Sequence, residues 1–128
     1  MMTEPDSASP AWATEVQELT KSFGNHLALG GIDLKIKQGE TVAILGPNGA
    51  GKTTLIKILA TIMNPSSGCI LINGLNLKNN AEEIRRRIGV VTHQTFLYGN
   101  LTTYENLNFY GRMYDIPTRQ ERIREITA

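Results

Sequence analysis

The sequence predicts an α/β domain in which a short buried strand feeds a glycine-rich loop and then a helix. Three observations predict it. Thr41-Val-Ala-Ile-Leu45 is a mostly apolar run of strand length, the pattern of a strand covered on both faces. Gly46-Pro-Asn-Gly-Ala-Gly51 then packs three glycines into six residues, a composition that interrupts regular structure. Beyond it Leu55, Ile58, Leu59 and Ile62 recur at helical spacing. The helix is expected to begin near Lys52, to carry Leu55–Met63, and to end at Asn64-Pro65.

The other elements follow in chain order. Residues 1–11 are rich in Ser, Pro and Ala and read as a disordered tail. Glu4 and Asp6, with no apolar core, exclude a secretory signal there. Trp12 to Leu19 suits a strand, and Ile32-Asp-Leu-Lys-Ile36 alternates as a half-buried antiparallel strand does. Gln38-Gly39 turns into the Thr41–Leu45 strand, and Ser66-Ser67-Gly68 is a second turn. A short strand at residues 69–72 runs into Asn73-Gly74, a hairpin signal. Ala81 to Arg87 is a short helix whose Glu82/Arg86 and Glu83/Arg87 pairs decorate a solvated face. Gly89-Val-Val91 is expected to be a strand. Thr102-Thr-Tyr-Glu105 has the T-x-x-E form of a capping box opening a helix to about Tyr114. Pro117 breaks that helix, and Thr118-Arg-Gln-Glu121 is a second such box, opening a helix that has barely begun at Ala128.

Composition narrows the class. With 128 residues, 41% hydrophobic and 20% charged, the chain matches one small globular domain. A formal charge of +1 gives no support to nucleic-acid binding or a membrane-surface role. Cys69 has no second cysteine to pair with and reads as a small buried hydrophobe, compatible with a reducing cytoplasm. No apolar run reaches the roughly 18 residues that span a bilayer.

The chemistry is concentrated in Gly46-Pro47-Asn48-Gly49-Ala50-Gly51-Lys52-Thr53-Thr54, which fits the phosphate-binding P-loop pattern G-x-x-x-x-G-K-[ST]. Glycines let the backbone take positive φ and approach a ligand closely, so successive N–H groups form an anion nest. The helix that follows adds unpaired N–H groups and its positive dipole end. Lys52 supplies a point charge for the β- and γ-phosphate oxygens and the Thr53 hydroxyl a ligand for Mg²⁺, with Thr54 reaching the α-phosphate. Asn48 and Ala50 occupy variable positions of the loop.

With these residues in place, the chain resembles the nucleotide-binding subunits of ABC (ATP-binding cassette) transporters. The GPNGAGKTT wording carries the resemblance first. Lys21-Ser22-Phe23-Gly24, upstream of Ala28-Leu29, carries it second, and Gln94 within Val90-Val-Thr-His-Gln…Leu-Thr-Thr-Tyr-Glu-Asn-Leu107 carries it third. The resemblance implies that Phe23 stacks on adenine, where the family more often has Tyr. It implies that Gln94 contacts Mg²⁺ and the attacking water, in a loop facing the membrane subunit. It further implies ATP and Mg²⁺ as cofactors, a membrane-spanning subunit and a second, head-to-tail ATP-binding subunit as partners, and a peripheral place on the cytoplasmic face of the membrane. Nucleic acid is not an expected partner. His93 beside Gln94 reads as a loop-packing residue and His26 as an exposed one. Tyr98, Tyr104, Phe109, Tyr110, Met113 and Tyr114 read as core and subunit-contact residues.

The fold implied is a P-loop NTPase core with an N-terminal antiparallel β-subdomain and the beginning of a helical subdomain, truncated, over residues 12–128. The 128 residues contain no LSGGQ-type signature, no Asp-Glu strand end of the Walker B kind and no switch histidine. The resemblance therefore implies an ATPase when intact, a weak nucleotide binder in these residues alone, and an unpaired apolar sheet edge that lowers solubility. Within the family, the wording of Pro65–Gly68, Ile84–Gln94, Phe96-Leu97-Tyr98 and Glu105–Tyr114 is similar to the haem-exporting ATPases of cytochrome c maturation, implying a haem-related cargo. Other readings are a soluble, non-transport ABC ATPase and a non-catalytic nucleotide-binding remnant. A GTPase would show N-K-x-D and D-x-x-G, and neither is present.

Overall fold

A computed structural model describes residues 12–93 and 97–128. They divide into two compact units, one ending at Val90 and the other beginning at Val91. In the first unit β1 (Trp12–Phe23) and β2 (His26–Lys37) form a long antiparallel ribbon. The other edge of β1 pairs with β3 (Ser67–Ile72), which turns through Asn73-Gly74 into β4 (Leu75–Asn76), so the order is β2-β1-β3-β4. Asn73 (φ 48°) and Gly74 (φ 78°) both take positive φ, as the expected two-residue hairpin turn demands. In β2, Ile32, Leu34 and Ile36 are half-buried between exposed neighbours, the predicted alternation.

Strand β1 shows how the ribbon meets its core. Val16 and Leu19 are both buried although an odd spacing should put them on opposite faces. A bulge reconciles them: Glu18 sits at φ 46°, its N–H donates to Asp33 Oδ1 (2.8 Å), and the register with β2 shifts between Val16 and Leu19. The core that results joins Val16, Leu19, Leu29, Ile70 and Ile72 of the sheet to Leu55 and Ile58 of α1 (Lys52–Leu59) and to Leu77 and Ile84 of α2 (Leu77–Arg85). Burying each such side chain stabilises by about 1.5–3 kcal/mol relative to leaving it exposed. Cys69 is half-buried rather than fully enclosed.

Helix α1 is shorter than its periodicity predicts. Thr61 takes φ 64°, its N–H bonds the Ile58 carbonyl (3.0 Å) and the Ile62 N–H bonds the Lys57 carbonyl (2.9 Å). This is a Schellman stop. It ends the helix at Leu59 and leaves Ile62 exposed, off the apolar stripe where the spacing had placed it. Within α2 a turn capped by Asn76, which accepts from Lys78 N–H (2.9 Å), precedes a kink at non-helical Asn80 (φ −126°), after which the expected helix starts at Ala81. The Glu82–Arg86 (3.1 Å) and Glu83–Arg87 ion pairs form on its solvated side, each worth about 0.3–0.5 kcal/mol.

Two predicted strands are not strands. Thr41–Leu45 has no regular structure or strand partner, with Leu45 90% exposed, and neither has Gly89–Val91, with Val91 99% exposed. A buried parallel strand draws its hydrogen bonds from neighbours on both sides. Among the described residues the one sheet is antiparallel and includes neither segment.

The second unit holds α3 (Thr103–Met113) and α4 (Arg119–Thr127). The first capping box is realised: Glu105 N–H donates to Thr102 Oγ1 (3.2 Å), and Thr102 N–H donates to Glu105 Oε2 (2.7 Å). Asn106, buried on α3, accepts from Tyr98 N–H and donates to the carbonyls of Tyr98, Leu101 and Thr102, fastening the preceding turn to the helix. The second box fails. Thr118 lies at φ 53°, outside the extended conformation an N-cap needs, and makes no capping bond. The aromatic expectation also fails in part: Tyr98, Tyr104, Phe109, Met113 and Tyr114 are exposed rather than core. Tyr98, Phe109 and Tyr110 instead pack on one another, with Tyr98 and Phe109 edge-on at 5.3 Å. Among the described residues no helix is long and apolar enough to cross a membrane.

Candidate functional site

The glycine-rich loop gets its shape from its own backbone and its position from the core. Gly49 (φ 85°) and Gly51 (φ 93°) both lie in the left-handed region, and Ala50 N–H closes a turn onto the Pro47 carbonyl (3.2 Å). Gly51 is also the N-cap of α1, and it has no room to be anything larger. A Cβ there would stand 2.6 Å from the Ala28 carbonyl oxygen and 2.7 Å from Leu29 Cδ2. The loop is thus seated against β2, while buried Leu55 and Ile58 fix the helix behind it. The core thus holds the loop at its Gly51 end, where the helix starts, while Leu45 before Gly46 is exposed and unpaired.

The open end of the helix faces outward from this seat. The first intrahelical bond runs from Leu55 N–H to the Gly51 carbonyl (2.9 Å), so the N–H groups of Lys52, Thr53 and Thr54 lie in the first turn, ahead of the helical ladder. Thr53 is exposed and Thr54 half-buried. Lys52 folds back over the loop: its ammonium donates to the Gly46 carbonyl and to the Pro47 carbonyl (2.9 Å). It therefore rests among the loop's own polar groups rather than in solvent. Pro47, Asn48 and Ala50 are exposed at the rim. A loop with left-handed glycines, a helix N-terminus, an ammonium and an exposed hydroxyl together suit a polyphosphate carrying Mg²⁺.

Phe23 ends β1, beside the turn to His26, which is exposed as expected, and its ring is 46% exposed. The hairpin end is tied to the residues that follow α1. Ser66 N–H bonds the Thr20 carbonyl (2.9 Å), Ser22 N–H bonds Ser66 Oγ (3.0 Å), and Lys21 Nζ donates to the Asn64 carbonyl (2.8 Å). One scaffold therefore carries both the aromatic and the loop: β2 seats Gly51, and the turn after α1 holds β1. Sequence reasoning missed both ties, since neither leaves a local pattern.

Gln94 lies outside the described residues, so its side chain enters no geometric statement. His93 is exposed, not packed. A cavity of about 450 Å³, bordered by Met63, Asn64, Ser67, Ile70, Leu77 and Arg85, contains none of the loop residues. The ammonium of Lys52 and the first-turn N–H groups lie together at the loop instead.

Comparison with known proteins agrees with this geometry. The family profile described as ABC transporter matches residues 29–128. A probable multidrug ABC transporter ATP-binding protein of Escherichia coli, YbhF, is 38% identical over 107 residues, covering 84% of this chain and 18% of that protein. The daunorubicin resistance ATP-binding protein DrrA3 of Streptomyces coeruleorubidus is 37% identical over 112 residues, 88% of this chain and 35% of its own length. Among solved structures, cbiO1 of Clostridium perfringens, described as part of the ABC transporter complex cbiONQ, superposes with a TM-score of 0.74 at 30% identity over 90% of this chain and 47% of its own. The chain spans less than half the length of each of these relatives.

Proposed function

Since this chain belongs to the ABC transporter family of ATP-binding domains, we propose that residues 12–128 are part of a subunit that couples MgATP binding and hydrolysis to solute movement across a membrane. The observation that carries the proposal is the seated loop, with Gly49 and Gly51 left-handed and Lys52 drawn over it. In this reading Lys52 moves its bonds from the Gly46 and Pro47 carbonyls to the β- and γ-phosphates. The N–H groups of residues 49–54 surround the phosphate chain, Thr53 holds Mg²⁺, and Thr54 meets the α-phosphate. Mg²⁺ would neutralise charge between the β- and γ-phosphates.

Phe23 is assigned to the adenine. Its half-exposed ring offers a face for stacking worth about 1–3 kcal/mol, by analogy with aromatic stacking on nucleic-acid bases. Phe23→Ala is expected to weaken ATP about tenfold while leaving inorganic triphosphate within twofold. Competition titration of the two ligands checks this, and equal losses on both would return Phe23 to a structural role.

Gln94 is assigned to Mg²⁺ and the attacking water on the strength of the resemblance alone. Gln94→Ala in the intact protein, reconstituted with its membrane subunit, should keep ATP affinity and lose most transport-coupled turnover. Normal coupled turnover would remove Gln94 from the mechanism. The exposed aromatic residues Tyr98, Tyr104, Phe109, Met113 and Tyr114 support a contact surface for a membrane-spanning subunit. A second ATP-binding subunit, docked head to tail at the cytoplasmic face, would complete the assembly. The cargo is the finer question. The wording of residues 84–114 favours a haem-related solute, whereas the names of the relatives above refer to drugs and lend haem no support.

A further inference from the structure

The structure places an unneutralised cation on the ring assigned to the base. Lys21 Nζ lies 5.2 Å from the centroid of Phe23, within cation–π range. It is held there by its bond to the Asn64 carbonyl (2.8 Å), which belongs to the turn tied to β1. Among the described residues no carboxylate pairs with it. Exposed lysines ordinarily sample solvent freely, yet this one is fixed by a carbonyl at its tip and an aromatic ring under it.

We propose that Lys21 is a positioning residue for nucleotide selection: it fixes the Phe23 ring and polarises it for stacking on an electron-rich purine. The inference rests on the reading of Phe23 as the base-stacking residue. An aromatic face is negative and its edge positive. A cation on one face draws π-density toward itself and leaves the opposite face better matched to the electron-rich adenine. The Asn64 bond and the ring together favour the ammonium staying beside Phe23 when a triphosphate arrives. Lys21 thereby acts through Phe23.

The test is a calorimetric titration of the intact protein with ATP and, separately, with inorganic triphosphate. The variants are Lys21→Met, Lys21→Arg, Phe23→Ala and the double Lys21→Met/Phe23→Ala. Lys21→Met is expected to weaken ATP about two- to fivefold and leave triphosphate unchanged. Lys21→Arg, which keeps charge, donor and ring contact, should bind ATP as the wild type does. The double variant should bind ATP no more weakly than Phe23→Ala alone, because the cation works only through the ring. An equal loss on ATP and triphosphate would make Lys21 a plain phosphate attractor and overturn the proposal, as would additive losses in the double variant or no loss in Lys21→Met. If Phe23→Ala itself fails to separate ATP from triphosphate, the stacking reading falls and takes the role of Lys21 with it. That outcome is distinct from a failure of Lys21 alone. Lys21→Arg guards against misfolding, since an Arg variant that folds but binds ATP poorly also overturns the proposal.

Discussion

Lys52→Ala is expected to abolish measurable ATP binding, a loss of about 100-fold or more. The estimate rests on charge-assisted hydrogen bonds to phosphate, each contributing roughly 1.5–3 kcal/mol, with those to the β- and γ-phosphates lost together. The fold should survive. Lys52 is only half-buried, and the Gly46 and Pro47 carbonyls it satisfies lie on exposed residues where water can replace it. Thermal unfolding should therefore move by no more than a few degrees while the calorimetric signal for ATP disappears. Lys52→Arg should also bind poorly, because a planar guanidinium does not substitute for a compact ammonium folded over a tight loop. Wild-type affinity in Lys52→Ala would remove phosphate binding from this loop.

Gly51→Ala is expected to cost both stability and binding. The new Cβ would meet the Ala28 carbonyl oxygen at 2.6 Å and Leu29 Cδ2 at 2.7 Å, at a φ of 93° that side-chain-bearing residues resist. Backbone strain and overpacking of this kind each cost about 1–3 kcal/mol, so a loss of roughly 2–6 kcal/mol in urea unfolding is expected. Gly49→Ala is the control. Gly49 shares the left-handed conformation (φ 85°) but has nothing within 4 Å of its would-be Cβ, so it should lose only the conformational part. Similar unfolding midpoints for the two variants would show that the seat against β2 does not hold the loop.

What could be read from the chain alone depended on the range of the signal. The alternation of Ile32–Ile36, the Asn73-Gly74 turn and the Thr102 box are set by neighbours within a few residues, and all three form. The loop's left-handed glycines were legible for the same reason. Thr41–Leu45 was misjudged because an apolar run says that a segment wants partners, not that partners exist. Two other errors share one cause. Thr61 and Thr118 take left-handed conformations that threonine disfavours, so the early stop of α1 and the failed second box had no sequence signature. The bulge at Glu18 depends likewise on a distant partner, Asp33, which accepts from its N–H. Within the site, the loop's residues were legible and its seat was not: nothing near residue 51 announces contact with residues 28 and 29. Lys21 and Phe23 stand two apart on one strand, a spacing that places side chains on one face, but the carbonyl that pins the ammonium lies beyond α1.

The most direct measurement is the set of amide chemical shifts of residues 46–54 in the intact protein as MgATP is added. A nest that wraps phosphates should give its largest shifts at Gly49, Gly51, Lys52, Thr53 and Thr54, saturating together with the ATP isotherm and absent in Lys52→Ala. Shifts that bypass these amides while ATP still binds elsewhere would contradict the loop as the nucleotide site.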